Sequence, residues 1–171
     1  MGVTYFYFRA SNAELALELM RKENWFANSD GEKNKHKVVP LKGIDHAVML
    51  GRLIAIIRFK PFCNEIAKSK TIWPPLETKP KTPEDYANLS PDSPWLHGPY
   101  LERLEMGIRD DLHSVNLNMV TGLAEQWAEI EEWDESEKVT VSQLVTIITD
   151  LVTLARNAYE KNEMMFVLSI L

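Results

Sequence analysis

Hydrophobic residues along this chain fall into runs and stripes whose periods predict distinct elements. Residues 3–8 form an unbroken string of β-branched and aromatic side chains that stops at Arg9, the pattern of a strand covered on both faces. Ser11 and Glu14 then stand at capping-box spacing. They predict a helix with Leu15, Ala16, Leu19 and Met20 on its apolar stripe, ending near Asn24 ahead of the turn-forming Asn28-Ser29-Asp30-Gly31. Val38 and Val39, before Pro40, read as a short extended piece. Over residues 46–59 apolar side chains cover almost every side, which predicts a central helix with Asp45 as its cap. A buried strand over residues 53–59 is the competing reading of the same run.

The pattern changes between residues 61 and 99, where eight of the nine prolines lie. Each proline fixes φ, removes an amide donor and restricts the residue before it, so this stretch predicts a long loop. A short helix opening at Pro83-Glu84-Asp85-Tyr86 is the one regular piece expected there. Trp73, Tyr86 and Trp95 are expected to pin the loop against the helices. Helical spacing resumes at Tyr100, with Pro99 in the first turn and Leu101, Leu104, Ile108, Leu112 and Val115 on one face. After a break at Asn116 and Asn118, a second helix carries Met119, Leu123, Trp127 and Ile130. A long helix over residues 141–161 turns Leu144, Ile147, Ile148, Leu151, Leu154, Ala155 and Ala158 inward, with Asn162 as its stop. Residues 164–171 read as a last strand, apolar on both faces like the first. Both strands need ladder partners, so they are expected as neighbours in one small sheet. The fold class predicted is α+β: one domain over residues 1–171, a small sheet holding both terminal strands, and several helices packed on it.

Composition narrows the function more than it identifies it. The chain has 171 residues, the size of one domain, and a formal net charge of −6. Such a charge disfavours nucleic acid and anionic membrane surfaces. The best basic patch, Lys33, Lys35, His36 and Lys37, lacks aromatics to stack on bases and reads as a solvated turn. Cys63 is the only cysteine, so neither an internal disulfide nor a multi-cysteine metal site is expected. The apolar run over residues 47–57 is interrupted by Arg52 and is too short to span a bilayer. With no signal-peptide pattern at the start, a cytoplasmic location is expected.

Candidate chemistry is sparse. Asp110, Asp111 and His113 lie within four residues and could act as acid and base or hold a divalent metal, although a solvated helix flank is the favoured reading. Asp45-His46 fits a helix cap. Glu125, Glu129 and Glu132 share one predicted helix face within an acidic run reaching Glu137, with no histidine among them. No metal is expected there, and the run reads as a solvated face or as a surface for a basic protein. Trp95, His97 and Tyr100 gather where the Pro-rich loop enters the predicted helix, whose free amides would favour an anionic or aromatic ligand. Cys63, with no histidine nearby in sequence, is expected as a packed or inert thiol.

The opening Met1-Gly2 with Tyr5, Phe6 and Arg9, the segment Leu41-x-x-Ile44-Asp45-His46 leading into an apolar helix, and the closing long helix and apolar strand together resemble the small bacterial YfbM-like proteins. The chain departs from that pattern at Ala47, Val48 and Met49. The resemblance implies a fold and a bacterial source, with no activity, cofactor or catalytic residue attached. The function expected is a non-catalytic protein- or small-ligand-binding domain, of which an immunity-type protein using the acidic run against a basic toxin is one version. A small hydrolase or metal-dependent enzyme using Asp110, Asp111, His113 or His97 is the alternative.

Overall fold

The computed structural model describes residues 3–22, 38–133 and 139–170. Its centre is an antiparallel sheet in the order β2-β1-β5-β4-β3, built from β1 (Thr4–Ala10), β2 (Val39–Lys42), β3 (Ser69–Trp73), β4 (Tyr100–Leu104) and β5 (Met164–Ile170). The first and last strands pair along their whole length, from Thr4 opposite Ile170 to Ala10 opposite Met164. They are neighbours, as their double-sided hydrophobicity requires. Successive side chains on a strand point to opposite faces. Tyr7, Met165, Val167 and Leu104 accordingly pack on one side, and Phe8, Phe166, Leu168 and Leu101 on the other.

The first face carries the larger core. It is covered by α2 (Met49–Ile57), α5 (Met106–Ser114), α6 (Val120–Ala128) and α7 (Val141–Glu160). The second face is covered by α1 (Ala13–Arg21) through Ala16 and Leu19, with Phe8 stacked on Phe166 at 5.6 Å between ring centres. Within the run over residues 46–59, the stretch Met49–Ile57 is a helix and not a strand, with turns on either side. Asp45 does serve its start, its Oδ1 accepting from the Val48 amide at 2.7 Å. In α7 the Thr140–Gln143 capping box sets the beginning, and Asn162, at φ +52, ends it.

Four expectations need correcting. The cap of α1 is Asn12, which accepts from the Leu15 amide at 2.8 Å, and Ser11 lies one residue too early. The helix ends at Arg21; the expected stop at Asn24, the turn at residues 28–31 and the basic patch at residues 33–37 lie outside the described residues. Tyr100 opens a strand rather than a helix. Leu101 and Leu104, three apart, suit one helical face, but on a strand an odd separation sends them to opposite faces, and both faces here are apolar. Finally, the Pro-rich stretch holds β3 between Pro61 and Pro74, besides the predicted helix α3 (Pro83–Ala87) and a further short one, α4 (Pro94–His97). β3 is an edge strand pairing only with β4, which leaves the flanking prolines outside the ladder. In that stretch Trp73 and Trp95 are half-buried, whereas Tyr86 is 42% exposed and does not pin the loop.

Candidate functional site

The best-formed recess lies where the end of β2 meets the start of α7. Beyond Lys42 the chain turns at Gly43, whose φ of +70 suits glycine and whose amide donates to Val3 O at 3.0 Å. Ile44 then turns inward, and its carbonyl accepts from the buried Tyr7 hydroxyl at 2.9 Å. Asp45 closes the loop by accepting from the amide of Val48, the N-cap residue of α2. Held in this way from both sides, the loop forms one wall of a cavity of about 510 Å³, with Leu41, Ile44, Met49, Trp133, Val139 and Ile147 supplying apolar surface.

Three polar residues face the same recess: Lys42, Glu132 and Gln143. Glu132 Oε1 accepts from Arg52 Nε at 2.7 Å and also from Arg52 Nη2. Its other oxygen, Oε2, is buried and accepts no hydrogen bond among the described residues. Trp133 is fixed by its indole N–H, which donates to Trp127 O at 2.6 Å, and by an edge-on contact with the Trp127 ring. Trp127 is itself fully buried and donates to Met49 O at 3.0 Å. The wall is thus tied into the core. A concave apolar site with a few fixed polar groups is the usual form of a small-ligand seat.

A second cluster lies on the same face of the sheet. Ser69 Oγ donates to Glu102 Oε1 at 2.8 Å, and His46 Nε2 lies 3.0 Å from Ser69 Oγ and 3.4 Å from Glu102 Oε2. Since the single Ser69 proton goes to the carboxylate, the His46 Nε2–H is the donor toward Ser69. The other ring nitrogen, Nδ1, is buried with no partner. A serine nucleophile needs the reverse order, with an unprotonated imidazole nitrogen receiving its proton and a carboxylate on the far nitrogen. This trio bridges the α2 entry and the β3–β4 edge. Its Glu102, together with Asp45 and above all burial, raises the pKa of Tyr5 above its ordinary value.

No family model, curated protein or solved structure matches this chain.

The residues singled out from the sequence are dispersed by the fold. Asp111 is bound by Arg58, with Nε at 2.7 Å, and Asp110 by Arg109, with Nε at 2.8 Å. His113 instead stacks on Tyr159 at 3.9 Å. Each group is engaged separately, and no set of three His, Cys, Asp or Glu side chains is placed to hold a metal among the described residues. Trp95 and Tyr100 do meet, the Tyr100 hydroxyl donating to Trp95 O at 2.9 Å, while the Trp95 indole donates to Thr78 Oγ1 at 2.9 Å. His97 is exposed, and the helix amides expected at Tyr100 belong to a strand. Glu125, Glu129 and Glu131 are exposed, but α6 ends at Ala128, so Glu132 leaves their face to meet Arg52. Asp134, Glu135 and Glu137 lie outside the described residues. Cys63 is exposed rather than packed. Among the described residues no helix is long and apolar enough to cross a membrane.

Sequence reasoning missed Glu132 as a cleft residue, along with Gln143, Trp133, Ser69 and Glu102. Ser69 carried a weak signal: the stretch Ser69-Lys70-Thr71-Ile72-Trp73 has strand propensity but sits between prolines. The others acquire their roles only from contacts between distant segments.

Proposed function

We propose that this is a non-catalytic, cytoplasmic binding domain whose ligand seat is the cleft between the β2–α2 loop and the start of α7. One observation supports the reading above the rest: a recess of about 510 Å³ with a mainly apolar lining and a wall hydrogen-bonded into the core. The ligand class that suits it is a small molecule with an apolar body and a hydrogen-bond-donating head. The Glu132 carboxylate, which lines the recess and is held by Arg52, is the acidic group suited to accept from that head. The YfbM-like resemblance belongs to the same proposal and would make the source bacterial. Neither nucleic acid nor a membrane surface is part of it, given the net charge of −6.

Trp133 in the wall provides the test. A screen of small neutral amphiphiles should produce ligands that shift tryptophan emission and raise the thermal midpoint. Ile147→Trp, which fills the cleft from the half-buried side of α7, should abolish both responses while leaving the fold intact. Ligands that stabilise this variant as strongly as the wild type would place the seat elsewhere.

A further inference from the structure

Phe59 combines two unfavourable features in one residue. It follows the last turn of α2 at φ +52, and its side chain is 81% exposed. The Lys60 amide bonds to Ala55 O at 3.0 Å and the Phe59 amide to Ile56 O at 3.1 Å, the paired bonds of a Schellman stop. That stop places its central residue in the left-handed region, where glycine or asparagine is the ordinary occupant and a bulky residue is strained. The same device closes α7, and there the residue is Asn162. Nothing in the folding of α2 calls for an aromatic ring at position 59.

Beside it lies a recess of about 400 Å³ with Ala55, Ile56, Phe62 and Ile130 as its apolar lining. Lys60 and Glu129, both exposed, stand on its rim, and neither makes an ion pair among the described residues. One surface therefore carries an apolar knob, a hole able to take a phenyl ring, and opposite charges that do not pair with each other. A two-fold interface requires such self-complementarity, because each contact made by one copy is repeated in reverse by the other. We propose that the chain forms a homodimer in which each Phe59 ring enters the recess of the second copy, with Lys60 facing the partner's Glu129. Arg52, which pairs with Glu132 of the cleft beside α7, also lines this recess, but the proposal does not rest on the ligand reading of that cleft.

Sedimentation and light scattering over a range of concentrations test this. The wild type should pass from monomer to dimer as concentration rises. Phe59→Asn suits the left-handed backbone and removes the ring, so it should weaken dimerisation about thirtyfold or more, the scale of a buried aromatic anchor. Its thermal midpoint in dilute, monomeric solution should be unchanged or higher, which separates loss of the interface from misfolding. Lys60→Glu alone should also weaken the dimer, and adding Glu129→Lys should restore it. A wild type that stays monomeric at the highest concentration would overturn the proposal. So would a dimer whose dissociation constant is the same in Phe59→Asn.

Discussion

Tyr7 has its ring in the main core and its hydroxyl on Ile44 O, and both features bear on stability in alkali. Burial, reinforced by Asp45, Tyr5 and Glu102, raises its pKa well above the ordinary 10.0. The folded state thus keeps a proton that the unfolded chain releases above that pH. The stabilising contribution is complete below about pH 10 and falls away as pH rises further. Tyr7→Phe removes this titration and leaves the Ile44 carbonyl without its partner. Denaturant titrations at neutral pH should show a loss of about 1–2 kcal/mol. The same titrations above pH 10 should show a shallower decline than in the wild type, with Tyr5 accounting for part of what remains. An unchanged alkaline slope would mean that another group governs it.

At the scale of elements, the expected cap of α1, Ser11, and the observed one, Asn12, can be told apart by substitution. Asn12→Ala should destabilise the protein by about 1 kcal/mol, because it leaves the Leu15 amide without its acceptor, whereas Ser11→Ala should have little effect. Thermal melts of the two variants, compared with wild type, check this directly. The pair also shows what a sequence can specify. A polar residue ahead of an apolar stripe marks a helix start to within a residue, and between neighbouring Ser11 and Asn12 the choice is made by backbone geometry. Long stripes left no such choice: α7 was legible almost to its ends, because twenty residues at helical period admit one reading. Leu101 and Leu104 admitted two, since a spacing of three serves one face of a helix or both faces of a buried strand. The cleft was not legible at all. Its walls come from β2, the α2 entry, the Glu132–Trp133 turn and α7, and no local pattern brings those together.

For the molecule as a whole, β5 is the element on which the sheet depends. It lies in the middle, between β1 and β4, and its side chains enter both cores through Val167 on one face and Phe166 on the other. Deleting residues 164–170 exposes the facing edges of β1 and β4 and removes seven paired positions of β1. Circular dichroism and thermal melting of the truncated chain should show no cooperative transition. A truncated protein that melts like the wild type would contradict this. The central strand is also the last of the five to be synthesised. Until residues 164–170 have been made, β1 and β4 have no strand between them, and the sheet can exist only as separate pairs. Such long-range pairing is slow, and waiting edges are prone to aggregate. Assembly of the five-stranded sheet therefore waits for β5 to emerge, and until then the partly made chain presents the kind of bare strand edge and apolar surface that chaperones recognise.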